Sequence, residues 1–531
     1  MWPPMFKRSY MSISNDFQDQ NLDRLIFFGS ILIIFSLCIP LALFPEQGAE
    51  MLGAAFNYLT HNFGIFYVVG SVVTVGFLGF IAFSRHGAIR LGDEAPDFST
   101  ASWFAMLFCG GIGTSVLYWG TVEWAYYFQT PPFSVEPNSD EALRWAGSYP
   151  IFHWGIMGWA FYCLPGVAVA YSYYVRGVKS LRLSDACEPI IGKHSRGVLG
   201  RTIDLLFVVG LVGACSTGIA LAVPLIGMSL ADLLSLDREA WGFTLDLLVI
   251  FVVTCVFASS VWLGLEKGIK RLSDLNIIMA ILLLAFILIA GPTLFMVEMG
   301  FDSLGHMAQN FIRMSTWTDP LGTSNFVESW TVFYWAWWLA LGPYMGIFIT
   351  KISKGRTLKQ LILGCVCFGT LGCFLFFSIL GNYAAYLELN SLFPVLETLE
   401  TQGPPALIVA VLGTLPMSSL ILVVFTLVCV IFAATSYDSA SYTLAASATK
   451  SLDSNEHPAR WHRVFWAFLL GVLPITLVYL GGLEPLKSAV TLVSVPLYAV
   501  IVLLTLSMWK SIKQAEKVKA EAVSANLSDA G

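Results

Sequence analysis

The feature that most constrains this chain is a series of apolar runs of about 20 residues, the length an α-helix needs to cross a bilayer core. Lipid offers no partners to backbone N–H and C=O groups, so such runs must be helical. Scanning the 531 residues places spans at 24–44, 64–84, 101–129, 147–175, 202–234, 243–266, 272–298, 326–351, 359–388, 416–449, 461–482 and 488–509. The expected fold is an all-α integral membrane protein with twelve transmembrane helices. Composition agrees, since only 12 % of residues are charged against about 25 % in soluble proteins. The opening "MWPPMFKRSYMSISNDFQDQ" lacks the apolar core and cleavage site of a signal peptide, so the first span is expected to be kept.

Lysine and arginine orient the bundle. The N-tail, the loops near 85–90, 176–201, 267–271, 351–359 and 450–463, and the C-tail carry 25 of the 29 basic residues. The opposite side has only Arg144, Arg238, Arg313 and Lys487. That asymmetry predicts both termini in the cytoplasm and an even number of crossings. No basic patch with interleaved aromatics suggests nucleic acid. The ten cysteines lie in spans, apart from Cys187 in a basic-side loop, so no disulfide framework is expected. Residues 301–314 put Phe301, Leu304, Met307, Phe311 and Met314 on one helical face, as in a helix lying on the membrane. Residues 390–405 are a weaker case.

Charges that cannot reach the interface mark function inside a membrane. Glu123 and Asp438 lie within spans, and Asp204, Asp246 and Asp274 lie near span ends. No span has a central arginine, which excludes voltage sensing. No HExxH, GxSxG or catalytic carboxylate pair is present, so an enzyme is not expected and no cofactor is implied. Transport remains. A channel would need a continuous polar lining, and a receptor would need an output domain; neither is present.

Two stretches are expected to interrupt their spans, "CGGIGTS" (109–115) in the third and "GPYMG" (342–346) in the eighth. Glycine at that depth serves either unwound backbone lining a cavity or close helix packing. The offset of five suggests two repeats, spans 3–7 and 8–12, with spans 1 and 2 added outside. Just before the second break, "WTVFYWAWW" (330–338) holds six aromatics in nine positions, beyond the needs of an interfacial belt. Trp330, Tyr334, Trp337 or Trp338, and Leu341 form one helical stripe. "FHWGIMGWAFY" adds Trp154, Trp159 and Tyr162, and "YWGTVEWAYYF" adds Tyr118, Trp119, Trp124, Tyr126 and Tyr127. A quaternary ammonium donates no hydrogen bond, but ring faces attract it by roughly 0.5–2 kcal/mol each once water is excluded. Interhelical packing explains most single rings; the Trp337–Trp338 pair reads better as part of a cage.

With these residues in place, the chain resembles the betaine/choline/carnitine transporter family. The resemblance rests on "WTVFYWAWW" followed by "ITKISKGRT", and on "RLGDEAPDFSTASW" (90–103), "TPPFSVEPNS" (130–139), "FHWGIMGW" (152–159) and "GLEKGIKRLSD" (264–274). It implies a bacterial inner-membrane protein, commonly a trimer, that carries small trimethylammonium compounds. It also implies inverted five-helix repeats. The expected layout is an N-tail to 23, peripheral helices over 24–84 and a first repeat over 101–298. An interfacial helix over 299–325, a second repeat over 326–509 and a C-tail over 510–531 complete it.

The resemblance further implies an aromatic box of Trp154, Trp159, Tyr162, Trp337 and Trp338 closed by Tyr126, with Trp330 and Tyr334 on the same stripe. Gly110, Gly111, Gly113 and Ser115 would meet a substrate carboxylate. One sodium site would use Thr435 and Ser436 with carbonyls of Phe432, Cys109 and Ile112. The competing reading of Thr435 and Ser436 is a hydroxyl bonded back to its own helix. Asn276 stands where sodium-independent exchangers carry arginine, which favours a sodium site. Met345 stands where those exchangers also carry methionine, in place of a second ion. The expected function is sodium-coupled uptake of carnitine, γ-butyrobetaine or glycine betaine. The alternatives are sodium-independent exchange and choline import.

Overall fold

The computed structural model describes residues 22–110, 113–263, 266–322, 324–450, 457–481 and 483–529. Among these, eleven helices are long and apolar enough to cross a membrane. A twelfth crossing is made by Thr100–Gly110 and Thr114–Gln129, bent by 58°. The third span is therefore broken where its glycines lie. Gly111 and Ile112, at the break itself, lie outside the described residues.

The first span is Arg24–Leu43, and Pro45 starts the second helix, Pro45–Phe83, at once. Proline suits a first helical turn because its missing N–H would have no partner there. This helix runs well ahead of the expected 64–84 segment. Val198–Leu234, Arg238–Leu263 and Glu266–Ala290 form spans 5 to 7. Leu358–Leu389, Ser418–Ser447, Arg460–Leu480 and Glu484–Asp529 form spans 9 to 12. The fourth span is the most enclosed, 94 % buried over its apolar window, whereas the first and seventh are 28 % buried. Substrate chemistry thus has to be sought around the fourth span.

Interruptions fall partly elsewhere than expected. The eighth span is not broken at "GPYMG": Phe333–Ile352 is one helix, preceded by a wider turn over Val327–Val332. Gly342 and Gly346 serve close packing instead. An added Cβ would lie 2.9 Å from the Phe161 carbonyl oxygen at the first and 2.7 Å from the Gly166 nitrogen at the second. Besides the third span, the fourth is interrupted, at Gly155, between Asp140–Trp154 and Ile156–Ala170. That break re-aims Trp154 relative to Trp159.

Two further stretches differ from expectation. The interfacial helix is Thr293–Thr316, with Met307 and Met314 buried but Phe301 exposed. The chain beyond residue 510 is not a free tail but continues the last helix to Asp529. Lys510 Nζ donates to the Pro189 carbonyl at 2.7 Å, and Glu516 pairs with Arg85 at 2.8 Å and His86 Nε2 at 3.0 Å.

"RLGDEAPDFSTASW" and "ITKISKGRT" form one unit at the basic end. Leu91 N–H donates to the Arg356 carbonyl and Gly355 N–H to the Leu91 carbonyl, both at 2.8 Å. The Arg356 guanidinium donates to Thr100 Oγ1 and the Phe98 carbonyl and lies 4.7 Å over the Trp103 ring. Gly355 needs its left-handed φ of +73° here, and a Cβ would strike the 94–96 backbone. Lys354 pairs with Glu94, which raises its ammonium pKa. The start of the third span is thereby tied to the end of the eighth.

Candidate functional site

Around Trp154, the third, fourth, fifth, eighth, ninth and tenth spans enclose a chamber of about 240 Å³. Drug-sized ligand pockets run to about 300–1,000 Å³, so the room suits one small molecule. Trp154, Trp159, Tyr162, Trp337 and Trp338 all line it. The Trp337 and Trp338 rings lie 5.4 Å apart and within 7° of parallel. Trp154 meets Trp338 edge to face at 4.7 Å, and Tyr162 does so at 5.6 Å. Trp159 stands at right angles to Tyr162, at 5.6 Å. Gly369 on the ninth span makes room for Trp159, since a Cβ there would lie 2.0 Å from its ring.

The orientation of the indole N–H groups decides what this box can bind. Trp154 Nε1 donates to Glu123 Oε2 at 2.8 Å, Trp337 Nε1 to the Ala214 carbonyl at 3.2 Å, and Trp338 Nε1 to the His153 carbonyl at 2.9 Å. All three donors are spent on the protein. Among the described lining residues there is no Asp, Glu, Lys or Arg. Such rings suit a cation that needs no hydrogen-bond acceptor.

Gly110, Gly113 and Ser115 line the chamber beside the break, with Met345 and Ser436 across from them. Tyr344 lines it too. It was not singled out in the sequence, although it continues the stripe seven residues beyond Trp337, at helical spacing. Tyr126, Trp330 and Tyr334 are not brought to the chamber. Tyr334 is fully buried and stacks behind Trp338 at 5.7 Å. Trp330 packs with Tyr126 at 5.2 Å and Trp119 at 5.8 Å. With Phe333 they form an aromatic lid.

The main feature that sequence reasoning passed over is the neighbourhood of Glu123. Its carboxylate is wholly buried. It accepts from Tyr127 at 2.7 Å, Trp154 at 2.8 Å and Tyr334 at 2.6 Å, and lies 3.7 Å from His153 Nδ1. His153 Nε2 meets Thr331 Oγ1 at 3.1 Å. One carboxylate therefore holds rings from the fourth and eighth spans. The legible signal was the acid itself, alone at mid-span among aromatics.

The expected ion residues are only partly gathered. Thr435 donates to its own helix, to Ile431 and Phe432 carbonyls at 3.0 and 3.1 Å. Its oxygen keeps a lone pair that could meet a cation. Phe432 and Cys109 do not line the chamber, whereas Ser436 does. Thr114, just after the break, reaches the Cys429 carbonyl on the tenth span at 3.4 Å. Asn276 donates to the Val428 carbonyl at 3.2 Å, and its buried Oδ1 has no hydrogen-bond partner among the described residues. Seven residues of helix, about 10 Å, separate Val428 from Thr435. Asn276 is thus beside the tenth span but not at the hydroxyl pair.

Towards the basic end, a larger cavity of about 1,020 Å³ begins one helical turn below Tyr344, at Ile347 and Thr350. Lys179, Arg196, Lys351 and Lys450 are among its lining residues. The chamber thus has a wide vestibule on one side and packed rings on the other.

A family model for the betaine/carnitine/choline transporters matches residues 25–517. An uncharacterized transporter of Escherichia coli K12, YeaV, is 37 % identical over 431 residues, covering 81 % of this chain and 89 % of the relative. A carnitine transporter of Acinetobacter baumannii is 33 % identical over 504 residues, covering 94 % and 91 %.

Proposed function

The chain belongs to the betaine/carnitine/choline transporter family, a family of transporters rather than enzymes, and we propose that it imports a trimethylammonium carboxylate of the carnitine, γ-butyrobetaine or glycine betaine type. The observation that carries this reading is the five-ring box in which three of the four tryptophan N–H groups, those of Trp154, Trp337 and Trp338, are already hydrogen-bonded to the protein. Methyl groups on nitrogen can lie against such ring faces without leaving a donor unpaired. The carboxylate end would meet Ser115 and the backbone at Gly110 and Gly113. A relative named as a carnitine transporter supports the same substrate class.

Coupling to one sodium ion fits this proposal. A hard cation prefers oxygen ligands, which Ser436 in the chamber wall and the free lone pair of Thr435 can supply. With the basic end in the cytoplasm, the vestibule faces inward and the lid outward. Met345, in the chamber wall, favours a second reading in which exchange proceeds without sodium.

Competition binding tests the substrate class. Carnitine, γ-butyrobetaine and glycine betaine should outrank choline, which lacks the carboxylate. Trp338→Leu should weaken binding about tenfold, or 1.4 kcal/mol, with normal membrane expression. Unchanged affinity in that variant, or choline ranked first, would refute the assignment.

A further inference from the structure

The lid already holds a cation. Lys487, near the start of the twelfth span, is buried, and its ammonium lies 4.0 Å from the centroid of the Trp330 ring and 5.8 Å from that of Phe333. The carboxylate it meets, Glu484 at 3.2 Å, is itself mostly exposed. Lysine is almost never buried unless its charge is answered, and here the answer is shared between that carboxylate and a ring face. Trp330 is in turn wedged against Trp119 and Tyr126.

We propose that Lys487 is the latch of the lid. Its ammonium occupies the outer ring cluster in the way the substrate's ammonium would occupy the inner box. Opening the chamber on that face requires Trp330 to leave Lys487, and an arriving alkylammonium would meet rings that are already filled. Trp330 thus serves the chain's own lysine while the lid is closed. The latch rests on the transport reading only in needing a lid that opens.

Its test does not depend on what the chamber carries. Cys215 and Cys373 line the chamber and can report access to it. A membrane-impermeant methanethiosulfonate bearing a trimethylammonium group is added from the lid face, and modification of these two cysteines is followed by mass spectrometry. Lys487→Met, which keeps an unbranched side chain of similar reach but removes the charge, should label about tenfold faster than the parent. Lys487→Arg, still cationic, should label at the parental rate. Reagent added from the vestibule face should label all three alike. A parental rate in Lys487→Met, or a Lys487→Arg variant as fast as Lys487→Met, would overturn the latch. Should Lys487→Met fail to reach the membrane, Trp330→Leu reads the same contact from the ring side, and a parental rate there is equally fatal.

Discussion

Replacing Glu123 by glutamine should weaken ammonium binding without dismantling the box. Glutamine is nearly isosteric, and its amide oxygen can still accept from Trp154 and Tyr334. Its NH₂ would face Tyr127, whose hydroxyl can turn to accept it while donating to His153 Nδ1, 3.0 Å away. Every partner stays satisfied, and only the negative charge is lost. Glu123 Oε2 accepts from Trp154 Nε1 at 2.8 Å and so lies in the indole plane; an ammonium over either face of that ring would sit on the order of 7 Å from that oxygen. At an effective dielectric constant of about 20 that attraction is worth roughly 2 kcal/mol. Allowing for reorganisation, a loss of about 1–2 kcal/mol corresponds to roughly five- to thirty-fold in Kd. Titration calorimetry on purified protein reads it directly, and thermal melting should stay within a few degrees of the parent. Glu123→Ala should instead lower the melting temperature, because it strands three buried donors at about 1–3 kcal/mol each. Binding by Glu123→Gln within twofold of the parent would refute the idea that this charge acts through Trp154.

Other perturbations test neighbouring parts of the site. Gly369→Ala should push Trp159 from its place and remove one wall of the box. At about 0.5–2 kcal/mol per ring it should weaken binding by roughly two- to thirty-fold, and parental affinity would show that Trp159 is not a wall. Uptake into proteoliposomes should need external sodium with a Hill coefficient near one, and should rise under an inside-negative potential. Thr435→Ala combined with Ser436→Ala should abolish that dependence. Full-rate uptake by the parent in sodium-free buffer, driven only by internal substrate, would favour exchange.

Much of this molecule was legible in the chain because it is local. The crossings follow from runs of apolar residues, since lipid forces each run to bond its own backbone. The stripe of Trp330, Tyr334, Trp337 or Trp338 and Leu341 follows from helical spacing, although only its inner end, from Trp337 on, lines the chamber. Tertiary structure decided what these periodicities leave open. Whether "GPYMG" unwinds or packs depends on the fourth span's backbone at Phe161 and Gly166, well over a hundred residues away in sequence, and it packs. Glu123 and Tyr334 are 211 residues apart, and nothing near either residue in the chain encodes their hydrogen bond. The same holds for Lys487 over Trp330. A buried charge is stable only where donors or ring faces converge on it, and that convergence comes from helices packed side by side, which no single stretch of sequence contains.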